Sequence, residues 1–402
     1  MISKSSSRRS VLACGVISLL AAAGADPQSA PAPAAKSPAI ALLDAADAPQ
    51  WQTWAKGIGW QIITPAASDP AIDLRVRALA SAVRDAIRNS GVDPARVYLA
   101  GRAEGAAAVF YAISRVPDLW AAGVALGGSP QPAIDSDRIF TANFTNVPVL
   151  WIGADSGDEA LANQLKSENL NLEWRSAAGA TNTTIFEWLA KHRRDEFPIE
   201  IDCETNSPTF ASCYWIQMTK FDVNERNDVL PSSRLRPGSG AALDLGGFGF
   251  PKDDAGPGVL VSLLPEKYGG PLKMGDRIVA LDGRPVENAR QYADTMAKFV
   301  EEKPVVATVQ RGKERIRVET RIVLPRREPV VSARVEAQYL PADKEIQIVS
   351  RTVKEMRVTI PPQWALGGRL YWNGLSLEKI DAPGCFLLTV EKEILHATPC
   401  AN

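Results

Sequence analysis

The chain has 402 residues, of which 46% are hydrophobic and 23% charged. Those proportions exclude collagen-like, low-complexity and wholly disordered classes, and at about 150 residues per domain the length predicts two or three domains. The 45 basic and 46 acidic residues leave a net charge of −1, so no basic excess points to nucleic acid, and two histidines cannot supply a rich metal site.

Lys4, Arg8 and Arg9 precede an apolar run from Val11 to Ala22, and Ala23-Gly24-Ala25 follows as an A-x-A cleavage site. This is the pattern of an export signal over residues 1–25. The uncharged stretch Ser10 to Ala25 holds 16 residues. A membrane helix needs about 20, so no transmembrane span is expected. Ser7-Arg8-Arg9-Ser10-Val11-Leu12 is similar to a twin-arginine signal, and an ordinary secretory signal with adjacent arginines fits equally. Either destination is periplasmic or extracellular. Cleavage would leave 402 − 25 = 377 residues and four cysteines, Cys203, Cys213, Cys385 and Cys400. An even count in an exported chain favours disulfides. Cys203–Cys213 and Cys385–Cys400 each stay inside one module and are the preferred pairs. The alternative is buried free thiols.

Residues 26–38 are rich in Pro, Ala and Ser and read as a solvated spacer. From residue 39 to 198, short apolar runs alternate with helix-period segments. The strand candidates are Ile40–Leu43, Trp60–Thr64, Val97–Gly101, Gly123–Leu126, Val149–Gly153 and Leu172–Ser176. Helical periodicity is clearest at Leu74–Asn89, Gly105–Arg115 and Glu159–Asn169, with a last helix over Thr183–His192. The alternation predicts a doubly wound, mostly parallel α/β sheet. Residues 199–239 read as a linker containing one strand at 214–218. Residues 240–326 read as a small β-module with one main helix, Ala289–Glu302. Residues 330–402 show alternating runs without a convincing helix and read as a small all-β terminal module.

The most informative stretch of the first domain is Val97-Tyr98-Leu99-Ala100-Gly101-Arg102-Ala103-Glu104-Gly105. With the α/β pattern around it, residues 39–198 resemble the α/β-hydrolase superfamily, in particular its exported esterase- and peptidase-like members. In that family a strand runs into G-x-S-x-G, a sharp turn that exposes a serine beside a helix N-terminus. Here the pentad keeps Gly101 and Gly105, while the nucleophile position is Ala103. A methyl group cannot attack a carbonyl. The resemblance puts the acid at Asp155 or Asp158, and the base in the loop Ala178–Thr183, which holds no histidine. His192 lies some ten residues later and reads as a surface histidine near a helix end, and His396 lies near the end of the chain. Glu104 reads as a solvated helix-start carboxylate, with general-base work as the alternative. Ser129 fits a turn role. Asp135 with Asp137, and Asp155 with Asp158, have capping rather than ligand spacing. Neither a metal nor a cofactor is expected.

Two further motifs are Gly247-Phe248-Gly249-Phe250 and Leu272-Lys273-Met274-Gly275-Asp276-Arg277-Ile278-Val279-Ala280-Leu281-Asp282-Gly283. Together they make residues 240–326 resemble a PDZ domain of the bacterial kind. The resemblance implies a carboxylate-binding loop at Gly247–Phe250, whose backbone N–H groups converge on a peptide C-terminus. It also implies an open strand edge after Gly249 for an added peptide strand. Phe248 and Phe250 would wall the pocket for the last side chain, with Gln291 and Thr295 facing it from the helix. Asp244 stands where a basic residue is usual.

Three readings follow. The leading one is an exported, non-catalytic pseudo-hydrolase whose PDZ-like module binds peptides or protein C-termini, or scaffolds an envelope assembly. The second is an active carboxylesterase or peptidase using a non-standard nucleophile. The third is a small ligand held in the former active-site cleft, which Ala103 would line.

Overall fold

Along Ala39-Ile40-Ala41-Leu42, alternate side chains enter two different apolar cores, because successive residues of a strand point to opposite faces. That alternation organises the first domain. The structure is a computed structural model, and it describes residues 36–65, 70–153, 156–235, 240–251, 254–299, 301–324, 331–364, 369–378, 380 and 382–400. The expected export signal, most of the spacer, and Asp155 lie outside those residues.

Six parallel strands form the first sheet: β1 (Ser37–Leu42), β2 (Gln61–Ile63), β3 (Val92–Arg102), β4 (Ala122–Leu126), β5 (Val149–Gly153) and β6 (Leu172–Ser176), in the order β2-β1-β3-β4-β5-β6. The helices are α1 (Ala48–Ala55), α2 (Ile72–Asn89), α3 (Gly105–Arg115), α4 (Gln131–Asp135), α5 (Ser156–Ser167) and α6 (Asn182–Ala190). One face of the sheet, with Val97, Leu99 and Trp151, is covered by α2, α3 and α5. The other, with Ile40, Tyr98 and Leu150, is covered by α1 and α6. This is the doubly wound arrangement the sequence predicts.

The segment expected to be a linker departs from that reading. Residues 200–221 hold β7 (Glu200–Thr205), β8 (Ser212–Cys213) and β9 (Ile216–Phe221). Next come β10 (Ala242–Leu243), β11 (Val259–Leu260), β12 (Arg277–Leu281), β13 (Arg284–Pro285), α7 (Ala289–Ala297), β14 (Lys303–Arg311) and β15 (Glu314–Val323). They make a separate antiparallel sheet, β10-β15-β14-β12-β11, with β13 on β12 and its own apolar core. Then follow β16 (Ala333–Leu340), β17 (Glu345–Arg351), β18 (Val353–Ile360), β19 (Arg369–Trp372), β20 (Leu375–Glu378), β21 (Gly384–Glu391) and β22 (Ile394–Pro399). These terminal strands do not stand alone. β7 completes a sheet β20-β19-β17-β16-β7, and β8 and β9 complete β22-β21-β18-β9-β8.

The two sheets share one core, containing Trp215, Met356 and Trp372, and so form a sandwich. The β-module is therefore an insertion between β9 and β16. Pairings such as Cys203 with Val335 and Gln217 with Arg357 join residues over a hundred positions apart, and no local pattern announces them. Both preferred cysteine pairs are bonded: Cys203–Cys213 links one sandwich sheet to the other, and Cys385–Cys400 clips β21 to the residue after β22. Among the described residues no helix is long and apolar enough to cross a membrane.

One buried group ties the parts together. The Glu204 carboxylate is fully buried and accepts hydrogen bonds from Ser232 Oγ (2.6 Å), Ser233 N (2.6 Å), Ser233 Oγ (2.7 Å), Ser332 Oγ and Arg351 Nη2 (3.1 Å). Ser232 and Ser233 lie before the inserted module, and Ser332 lies after it. The Glu204 backbone is held in turn by Asn143 of the first domain, at 2.7 Å through its N–H and 2.8 Å through its C=O. Removing a partner from a buried charged network strands the remaining charge, at a cost of about 3–5 kcal/mol. Glu204→Ala should lose stability of that order in denaturant unfolding, and Glu204→Gln, which keeps one acceptor, should lose less. Alkylation under denaturing, non-reducing conditions should label none of Cys203, Cys213, Cys385 and Cys400.

Candidate functional site

The turn between β3 and α3 sits where the strand order reverses, with β1 beside β3 and β2 beyond β1. In open α/β sheets the crevice outside the carboxyl ends of the strands at such a point is the ligand position. Ala103 occupies the apex at φ +48°, a left-handed conformation that residues with a Cβ rarely adopt. Its N–H donates to the Leu126 carbonyl at 2.8 Å, and its carbonyl accepts from Ala106 N at 3.1 Å.

Close packing fixes this shape. A Cβ on Gly101 would lie 2.3 Å from the Gly105 carbonyl oxygen, and one on Gly128 would lie 1.9 Å from the Ala103 carbonyl oxygen. Gly128 is itself held by Trp151 Nε1, which donates to its carbonyl at 2.8 Å. Sequence reading missed Gly128. Gly105 is the converse, because a Cβ there would meet only Asp47 Oδ2, at 3.6 Å.

Asp47 was also missed. It follows β1, and its Oδ2 accepts the Arg102 N–H at 3.1 Å while standing beside the first turn of α3. Burial raises its pKa above the ordinary carboxylate value, opposed by the Arg102 N–H and guanidinium. The Arg102 guanidinium lies 5.9 Å from the Trp54 ring centroid. A carboxylate thus stands beside the first turn of α3.

Of the remaining triad candidates Asp155 lies outside the described residues, and the others have the following surroundings. Asp158 packs on the end of β5, such that a Cβ on Gly153 would lie 2.7 Å from both Asp158 Oδ2 and Trp174 Nε1. At the loop before α6, Thr181 and Thr184 form a reciprocal cap on the helix, at 3.2 and 3.0 Å. His192 packs against Trp188 with ring centroids 4.3 Å apart and planes tilted by 55°, and its carbonyl accepts the Tyr98 hydroxyl at 2.9 Å. Tyr98 precedes Ala103 by five residues, about 16 Å along a strand, so the His192 backbone is tied to the middle of β3. Burial holds its pKa down. Glu104 is exposed and makes no capping bond. Ser129 Oγ accepts from Gln131 N at 3.2 Å, as a turn residue does, and Asp135 accepts from Gln131 Nε2 at 2.7 Å. Among the described residues no three His, Cys, Asp or Glu side chains group as metal ligands.

In the β-module, Gly246 (φ +80°) and Gly247 (φ +77°) turn the chain after β10. Pairing thus stops with β10 at Leu243 and resumes only as an isolated bridge between Gly249 and Leu263. Gly249 N donates to Leu263 O at 2.8 Å. One of the N–H groups expected to meet a carboxylate is thus already used. Phe248 and Phe250 are half-buried with ring centroids 6.0 Å apart. Phe250 meets Tyr292, which the sequence reading did not single out, edge-on at 5.6 Å.

The main helix ends at Ala297, not Glu302. Both proposed groove residues are engaged locally: Gln291 Oε1 accepts from Glu287 N at 2.5 Å, and Thr295 Oγ1 donates to Gln291 O at 2.7 Å. Asp244 instead lines an open cleft of about 520 Å³ with Asp282, Val306 and Glu319. That cleft includes none of the carboxylate-loop residues or the β3–α3 turn.

No family model and no curated protein matches the chain. Among solved structures it is similar to SOBER1 of Arabidopsis thaliana at 13% identity, over 39% of this chain and 99% of that one, with a TM-score of 0.29. It is similar to esterase PE8 at 18% identity, over 39% and 93%, with a TM-score of 0.28. A thermostable esterase matches at 15% identity, over 42% and 57%, with a TM-score of 0.28. Likenesses this distant carry no argument about activity.

Two glycines separate packing from habit. Gly128→Ala should cost about 1–3 kcal/mol, the range for forced overpacking, whereas Gly105→Ala should be neutral or stabilise by up to about 1 kcal/mol. Thermal and denaturant unfolding of both variants checks this. Ala103→Ser should show no turnover of p-nitrophenyl acetate above a boiled control, because the His192 carbonyl is tied to Tyr98, five residues before the turn.

Proposed function

We propose that this chain is a non-hydrolysing relative of the α/β-hydrolases, exported from the cell, that works by binding. The observation carrying the reading is Ala103: a strand-turn-helix elbow held at φ +48° with a methyl group at its apex. The Asp47 carboxylate beside α3 and the anchoring of the His192 carbonyl to Tyr98 support it. The two disulfides suit an oxidising compartment. An active hydrolase would need a nucleophile other than residue 103.

The recognition role is assigned to the PDZ-like β-module. The successive left-handed glycines before Phe248 and the Phe248–Phe250–Tyr292 aromatic cluster support a site for a free, apolar peptide terminus. The exposed Asp244, three residues before the loop, weakens attraction for a carboxylate by about 1 kcal/mol or less. Affinity is accordingly set in the micromolar range, about −8 kcal/mol or weaker. Calorimetry with one apolar-ended peptide as free acid and as C-terminal amide tests this on the full chain. The acid should bind at least tenfold more tightly; equal binding would overturn the reading.

A further inference from the structure

We propose that the first domain docks on an anionic phospholipid surface through the end of its sheet opposite the β3–α3 turn; the inference does not rest on the terminus-binding reading above. At that end the parallel strands begin, and its two halves differ. Under β4 and β5 it is covered by the sandwich. Tyr214 Oη donates to the Pro117 carbonyl at 3.2 Å, Ser212 Oγ to Asp118 Oδ2 at 2.6 Å, and Asn146 Nδ2 to the Glu200 carbonyl at 3.0 Å. Under β2, β1 and β3 it is open, with Lys36, residues 56–59 and residues 88–91 exposed. These segments adjoin one another. Gln61 Nε2 donates to Ser37 Oγ (2.7 Å) and to the Ser90 carbonyl (2.9 Å), and Ser37 N donates to the Gly91 carbonyl (2.9 Å).

The open half is cationic. Arg96 Nη2 donates to the Lys36 carbonyl at 3.0 Å, and Arg96 and Arg193 share one carboxylate oxygen, Asp93 Oδ2, at 2.6 and 3.4 Å. One carboxylate thus faces two guanidiniums. Lys56 closes α1 and Arg88 lies in the last turn of α2, on helices that cover opposite faces of the sheet and both run down to this end. Arg84 shares a side of α2 with Arg88, one turn earlier. Arg88 pairs with Asp85, whereas Lys36, Lys56 and Arg84 have no ion-pair partner among the described residues. Beside this group, Lys191 and Arg194 match Asp195 and Glu196 in number where the chain leaves for β7. The C-termini of α1 and α2 offset only about half a charge each. The excess of positive charge on an open end attracts an anionic partner. Ile58 selects a bilayer over a dissolved polyanion: it is 48% exposed between these cations, and an apolar side chain so placed gains from burial at the headgroup–acyl boundary. Docked this way, the domain turns the Ala103 elbow away from the lipid, because the elbow lies at the carboxyl ends of the strands.

The test is flotation of residues 26–402, the form expected after export, with vesicles of phosphatidylcholine alone or mixed equally with phosphatidylglycerol. The chain should bind the anionic vesicles at least tenfold more tightly than the neutral ones. Raising salt from about 0.1 to 1 M, which cuts the screening length from about 10 to 3 Å, should release it. Lys36→Gln/Lys56→Gln/Arg84→Gln should weaken binding at least tenfold, at about fivefold per cation near the surface. Lys220→Gln/Lys267→Gln/Lys313→Gln, which removes as many exposed cations elsewhere, should bind as the unsubstituted chain does. Equal binding to both kinds of vesicle, no binding to either, or equal losses in the two triple variants would overturn the docking face. Dextran sulfate held as tightly as the anionic vesicles would make the partner a dissolved polyanion and overturn the membrane assignment.

Discussion

The fold is assembled around one buried carboxylate. Glu204 lies on β7, the edge strand that brings the sandwich against the first domain, and its side chain receives the chain both before and after the inserted β-module. An isolated carboxylate in that position would be expensive, since desolvating an ion costs several kcal/mol even after relaxation. Arg351 supplies the countercharge, and three serines and a backbone N–H satisfy the remaining lone pairs. A network of that kind favours one geometry because every alternative leaves a polar group unmet. Arg115 reinforces the same junction: it is buried, donates to Asn206 Oδ1 at 2.7 Å and lies 4.4 Å from the Phe210 ring. The three-part architecture is thus a consequence of polar satisfaction as much as of apolar burial.

The shape of the β3–α3 turn is set by backbone contacts and not by the side chain at its apex. Left-handed backbone at a residue with a Cβ costs about 1–3 kcal/mol and persists only where the surroundings over-determine it. Here the surroundings are the Gly101–Gly105 and Gly128–Ala103 contacts and the bond to Leu126. All are made by backbone and none needs a hydroxyl. The turn therefore does not depend on a hydroxyl at residue 103, and the Asp47 carboxylate sits beside the first turn of α3.

Much of this was legible in the sequence, for identifiable reasons. The α/β domain announced itself because each parallel strand is a short apolar run between helices, and Gly105–Arg115 and Val149–Gly153 fall where the pattern puts them. α1 did not, since only Trp51 and Ala55 of its eight residues are buried and no stripe forms. The sandwich was misread as a linker plus a tail because β7 and β9 pair across an inserted module, and pairing at that separation leaves no periodic trace. The Ala103 substitution is visible in the pentad. Asp47 and Gly128 are not, because their roles arise from contacts made only after the strands align. The α7 boundary failed for a local reason: the helix stops at Ala297, where the Lys298 N–H turns back to Thr295, and the apolar Phe299 that follows packs on the module core without being helical.

Binding without hydrolysis is the central claim, and the elbow is where it can fail. Intact-mass spectrometry of the wild-type chain after prolonged incubation with an excess of a fluorophosphonate reads it directly, since the reagent marks any serine activated by a base, whatever its position. The account requires the mass to remain that of the unmodified chain. A stoichiometric adduct mapping within residues 36–198, absent from a heat-denatured control, would contradict it.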